Sequence, residues 1–192
     1  MKIKILKLVA ASAGLSLLAG CIVMSVYPFY TPKDLIFDPG LAGSWGKAGT
    51  TNEIWRFAVS GEKAYLLGVV DDSETNSFEA HLFRLKRYQF LDLLTTNRAA
   101  YELPVHLISK VNQSNTNLSL QFLDYGWLAG LLETNPAVLR HIMVPAKPED
   151  TNDDMVYLTA DTRELQAFLL KHATDTNAFT AGSAVQLQRI SP

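Results

Sequence analysis

The sequence holds one cysteine in 192 residues, Cys21. A single thiol closes no disulfide within its own chain and builds no multi-cysteine metal site. A membrane-spanning run is missing as well. The uncharged stretch from Leu8 to Ala19 is roughly a dozen residues, against the ~20 that a helix needs to cross a bilayer. Concentrated positive charge is also absent: 17 Lys and Arg face 19 Asp and Glu with no basic cluster, so no nucleic-acid partner is expected. Neither Ser44 nor Ser60 sits in a Gly-x-Ser-x-Gly elbow, and no phosphate-binding glycine loop occurs. The four histidines, His81, His106, His141 and His172, show neither His-x-x-x-His nor Glu-x-x-His spacing. No metal and no cofactor are therefore expected, and catalysis is not signalled.

What is present is concentrated at the N-terminus. Lys2, Lys4 and Lys7 precede the apolar run, small residues end it, and no acid occurs before Asp34. A basic start, a short apolar stretch and small residues together read as a secretory signal peptide, here residues 1–20. Its removal leaves 172 residues, in which 14 basic groups face 19 acids, a net of −5. That length suits one domain, which buries roughly 70% of its unfolded surface and needs no covalent staple. The apolar content of 48% matches an ordinary globular chain.

The four residues Leu18-Ala19-Gly20-Cys21 resemble the lipobox of bacterial lipoproteins. The resemblance implies cleavage before Cys21, a thioether-linked diacylglycerol on its sulfur and usually an acyl group, typically palmitate, on the freed amine. One acyl chain holds a protein only marginally, at about 0.8 kcal/mol per buried methylene, but two or three chains make release negligible. Ile22 stands where lipoproteins kept in the inner membrane typically carry Asp, so the resemblance favours the outer membrane, facing the periplasm. A lipidated Cys21 leaves no free thiol for a nucleophile or a disulfide despite an oxidising compartment. An ordinary signal peptide with an incidental cysteine, or an uncleaved anchor, leaves the position of that sulfur unexplained.

Residues 21–40 read as the lipidated cysteine and a tether, and residues 41–192 as a single β-rich domain. Pro28, Pro32 and Pro39 forbid a continuous helix in the tether. Its aromatics, Tyr27, Phe29 and Tyr30, suit either the lipid interface or packing onto the domain. Leu35-Ile36-Phe37 carries the apolar run past a membrane contact and favours packing. The stretch from Tyr27 to Trp45, with Phe78–Leu85, resembles a group of uncharacterised bacterial lipoproteins, a likeness that implies no activity.

Beyond the tether the hydrophobic period is mostly two. In EIWRFAV, Trp55, Phe57 and Val59 share a face, and KAYLLGVV follows a Ser60-Gly61-Glu62 turn. SFEAHLFRL and YQFLDLL read as a hairpin around Lys86-Arg87. YELPVHLISKV carries Pro104, which argues for an edge or bulge; LSLQFL alternates again, as do Val185 and Leu187. Seven Thr-Asn pairs, ending at Asn52, Asn76, Asn97, Asn117, Asn135, Asn152 and Asn177, read as turn markers.

Two segments have a helical period. Asp161 and Glu164 form a capping-box pattern before Leu165, Phe168, Leu169 and His172, one stripe of a helix. YGWLAGLLETNP is a weaker helix that Asn135-Pro136 stops or restarts. The fold class is mainly β, an antiparallel barrel or sandwich with two accessory helices over an opening or one face.

Gly43-Ser44-Trp45 resembles the Gly-x-Trp that opens lipocalin barrels. There the tryptophan closes one end, often under a late arginine, a part that Arg189 fits here. The implied shape is calycin-like, although two helices depart from the lipocalin plan. Such a barrel either fills with side chains or holds a ligand. Candidate ligand contacts are Trp45, Trp55, Phe57, His81, Phe83 and His106, with His81 and His106 sharing the interior and Trp127 and Phe90 as further lining. The leading expectation is a non-enzymatic envelope module that binds a small apolar molecule or lipid. The alternatives are a structural or assembly partner of another envelope protein, and a weak hydrolase built on Glu79 and His81, which share a strand face. A cavity beside Trp55 and Phe57 favours the first, and a solid core with an exposed apolar patch the second.

Overall fold

The structure, a computed structural model, describes residues 23–47, 53–71, 74–96, 103–145, 155–182 and 184–191. Cys21 and the rest of the lipobox lie outside them. The described residues begin with a short strand, β1 (Val23–Ser25), then β2 (Gly43–Lys47), β3 (Ile54–Gly61) and β4 (Ala64–Asp71). Next come β5 (Glu74–Leu85), β6 (Tyr88–Thr95), β7 (His106–Gln113) and β8 (Asn117–Phe122). Then follow α1 (Tyr125–Thr134), a 3-10 turn (Pro136–Val138), β9 (His141–Val144), β10 (Met155–Leu158), α2 (Thr162–His172) and β11 (Val185–Ser191). No helix among the described residues is long and apolar enough to cross a membrane.

Strands β2 to β8 each pair antiparallel with the next. Strand β8 pairs with β11, and β11 returns to β2. The result is a closed, eight-stranded antiparallel barrel of the calycin kind, rather than a sandwich. Closure leaves these eight strands no long free edge.

Alternation decides what fills it. Trp55 and Phe57 of β3, Tyr65 and Leu67 of β4, Phe78, Ala80 and Leu82 of β5, and Leu91 and Leu93 of β6 all belong to one interior cluster. The opposite parity on β5, β6 and β7, namely Phe83, Leu85, Phe90 and Ile108, forms a second cluster on the outer wall. There α1 and α2 lie, contributing Leu128, Leu132, Leu165, Phe168 and Leu169. Strands β6 and β7 are thus buried on both faces, which is why FLDL and HLIS run apolar without strict alternation.

Both helices begin on an aspartate. Asp161 accepts the Glu164 N–H at 3.0 Å, and Asp124 accepts the Trp127 N–H at 2.8 Å. The capping box is only half formed, because the Glu164 carboxylate accepts from Arg140 Nε at 3.0 Å instead of reaching back. The Asn135-Pro136 pair ends α1, and the 3-10 turn starts at Pro136. Of the Thr-Asn turn markers, Asn76 proves an exception: it lies inside β5, opposite Val69. Asn52, Asn97 and Asn152 fall outside the described residues.

The remaining three strands form a side sheet. Strand β9 pairs with β10, β10 runs parallel to β1, and Ser25 of β1 pairs with His106 of β7. Strands this short carry too few residues for a readable period. The tether residues from Val23 onward belong to the domain. Leu35 bridges Phe83, Ile36 N–H donates to Leu82 O, and Arg84 N–H donates to Asp34 O. The register of β4 along β5 ends at Tyr65 and Ala80, so this strap occupies the edge of β5 that β4 vacates. The fold therefore starts near Val23, and Phe29 and Leu41 are fully buried within it.

Candidate functional site

The expected contact residues divide between the inside and the outside of the barrel. Trp45, Trp55 and Phe57 are inside, with 0%, 3% and 2% of their surface exposed. Trp45 Nε1 donates to Leu41 O at 3.0 Å. Trp55 Nε1 donates to Glu53 Oε1 at 2.8 Å, and Lys47 Nζ holds Oε2 of the same carboxylate at 2.9 Å. A side chain with almost no surface that water reaches has no water-sized void beside it. Tyr65, Leu67, Ala80, Leu82, Leu91, Leu118 and Leu120 are equally sealed, so the described interior is a packed core.

At one end of that core Arg189 lies over Trp45. The Arg189 guanidinium lies 4.1 Å from the Trp45 ring centroid. It also donates to the carbonyls of Ala42 and Asn115, each at 3.0 Å, and to that of Gly40.

His81, Phe83 and His106 are not in the interior. Ala80, Leu82 and Leu107 take the inward positions, and strict alternation turns their neighbours to the outer wall. Phe90 and Trp127 likewise pack outside, around the helices. The sequence expectation that His81 and His106 share the barrel interior is corrected accordingly. They share the outer face, beneath the strap.

The centre of that outer cluster is Asp92, which is fully buried. Its Oδ1 lies 2.7 Å from His106 Nδ1, and its Oδ2 accepts the Phe29 N–H at 2.9 Å. Opposite Asp92 in the β5 register stands His81, whose ring packs against Tyr30 with centroids 4.7 Å apart. His81 Nε2 approaches Glu79 Oε1 at 3.4 Å, while its Nδ1 is buried without a partner. Burial lowers the His81 pKa below the ordinary histidine value; Glu79 and Asp92 oppose that shift, and His106 adds to it. Burial, with the charges of Asp92 and Glu79, pushes the Tyr30 phenol up to about 12.

This arrangement fastens a segment. A His-Asp pair activates a nucleophile only when one stands within hydrogen-bond reach. The nearby Ser25 hydroxyl donates its proton to Tyr27 O at 2.7 Å, and Phe29 and Tyr30 lie over the pair. Asp92 instead pins the strap through the Phe29 amide, and Gln166 of α2 holds the same strap at Phe29 O and Asp34. Sequence reasoning does not single out Asp92. Its signal was a lone acid in the apolar stretch YQFLDLL.

The other two histidines stand apart. His141 Nδ1 contacts Leu139 O at 2.8 Å, and His172 sits in the last turn of α2 against Trp127 and Phe168. Among the described residues, no three His, Cys, Asp or Glu side chains are placed to share a metal ion. No family model, no curated protein and no solved structure matches this chain.

Proposed function

We propose that this chain is a lipid-anchored protein of the bacterial cell envelope, held by acyl chains on Cys21 at the periplasmic face of the outer membrane. Its barrel serves as a solid scaffold that docks another envelope protein on its outer surface, and no reaction is assigned to it. The observation that carries this reading is the packed interior around Trp45, Trp55 and Phe57. A carrier of apolar molecules needs an empty volume there, and these side chains occupy it.

The outer surface offers a place to dock. Strand β9 ends the sheet order, and Ile142, Met143 and Met155 beside that edge are 55%, 40% and 38% exposed. Among the described residues no strand pairs with the outer edge of β9, and such an edge flanked by apolar side chains is suited to pairing with a strand of another chain.

Photo-crosslinking from position 142 in intact cells tests this, with position 59 of the β3–β4 hairpin as the control. A protein adduct at 142 and none at 59 is the expected outcome. The opposite result would be no adduct at 142 together with an apolar small molecule co-purifying in native mass spectrometry. That combination returns the function to ligand carriage. The anchor is tested separately: Cys21→Ser should lose metabolic palmitate labelling and leave the membrane fraction. Persistent labelling of that variant overturns the lipobox reading alone.

A further inference from the structure

The barrel wall carries a groove of about 410 Å³ where β6 and β7 part. Their register ends at Phe90 and Lys110, so Tyr88 and Gln89 pair only with β5, and residues 111–113 only with β8. Arg84, Lys86, Arg87 and Lys110 line the gap with Tyr88 and Asn112, and no carboxylate lines it. The sequence reading found no basic cluster because only three of these cations are near one another in the chain. The fourth arrives from β7 through the fold.

No ion pair among the described residues neutralises the four cations. The ion pairs of Lys and Arg among the described residues use Lys47 and Arg140, and none involves these four. Concentrating four like charges in a chain of net charge −2 is unfavourable until an anion arrives. Lys86 adds a second irregularity, occupying the two-residue turn at a φ of 54°, where glycine or asparagine is usual.

Part of the cluster is already positioned. Arg87 Nη2 donates to Tyr88 Oη at 2.7 Å, which leaves the phenol its own proton to donate. Lys110 Nζ donates to Ala173 O at 2.9 Å. Both cations lie near the Tyr88 ring, 5.0 and 5.6 Å from its centroid. Arg84 and Lys86 make no side-chain hydrogen bond among the described residues, so both are available. Guanidinium forks match phosphate oxygens in pairs, and the neighbouring amide of Asn112 suits a hydroxyl beside the phosphate.

We propose that this groove binds the phosphate group of a small polyol phosphate ester, supplied either as a soluble molecule or as a phospholipid headgroup. The full-length protein in a non-ionic detergent is titrated with glycerol 3-phosphate, and in parallel with phosphatidylglycerol carried in the same micelles. Glycerol and diacylglycerol are the phosphate-free controls. Saturable binding is expected in at least one arm and in neither control, weakening as salt rises. It should fall at least tenfold in the double variant Arg84→Gln/Lys86→Gln and stay unchanged in Lys171→Gln, whose side chain lines a separate groove. Binding in the soluble arm alone identifies a free phosphate ester, and in the micelle arm alone a headgroup. Absence of binding in both arms, or a double variant that binds like the parent, overturns the proposal.

Discussion

Arg189 and Trp45 face each other in register on β11 and β2, and the guanidinium covers the indole at 4.1 Å. The same guanidinium ties two other stretches of chain to β11, residues 40–42 through the carbonyls of Gly40 and Ala42 and the turn at Asn115 through its carbonyl. Arg189→Ala should destabilise the fold by about 2–3 kcal/mol, from a cation–π contact plus charged hydrogen bonds. Arg189→Lys should recover less than half of that, because a lysine lacks the planar fork. Urea denaturation of the three proteins measures both. A loss under about 0.5 kcal/mol, the range of ordinary surface substitutions, would falsify the closing role of Arg189.

Asp92 has two partners from distant parts of the chain, His106 and the Phe29 amide. Asp92→Ala should cost about 3–5 kcal/mol, since it leaves buried donors unpaired. Hydrogen exchange should rise first at Phe29 and Tyr30 while the amides of β3 and β4 stay protected. Uniform acceleration across the barrel would show that Asp92 supports the whole core rather than the strap.

Burial lowers the pKa of both His81 and His172 in the folded protein. A histidine depressed in the native state binds more protons when unfolded, so stability rises with pH. Its contribution is complete above about pH 6.5 and falls away as pH drops through the lower native value. His81→Phe should therefore flatten the dependence of unfolding free energy on pH below about pH 6.5. An unchanged slope contradicts the burial of His81. Asp34 adds a second window at lower pH. Burial alone would raise its pKa, but hydrogen bonds from Thr31 and Gln166 lower it overall. Its contribution is present above the ordinary aspartate value and is lost as pH falls below it.

The packed interior gives a prediction about apolar probes. The parent protein should bind no stoichiometric amount of an apolar fluorophore, whereas Phe57→Ala should lose about 3–5 kcal/mol and gain a dry cavity. Enhanced fluorescence with the variant alone is the expected reading. Strong enhancement with the parent reopens ligand carriage.

The strands with a clear period of two were legible because side-chain parity and burial coincide there: Trp55 and Phe57 predicted β3, and Lys86-Arg87 predicted the turn between β5 and β6. Both helices were legible from their stripes and from the aspartate that caps α2. The inside and outside of β5 and β6 were not. Both parities are apolar in LFRL and FLDL, so the sequence alone cannot say which of Phe83 and Leu82 points inward. Parity was settled only by pairing with β4 and β7. The side sheet escaped because β1, β9 and β10 are three or four residues long. The groove at Arg84 escaped because Lys110 stands 26 positions away in the chain.

Strand β1 begins at Val23, two peptide steps after Cys21. Two steps of backbone span about 8 Å at most, less than the width of a single helix with its side chains. Acyl chains on that sulfur, as proposed, would leave the barrel a tether of two residues and little slack to reach distant targets. With the proposed anchor on Cys21, a molecule that meets the β9 edge would do so close to the membrane surface.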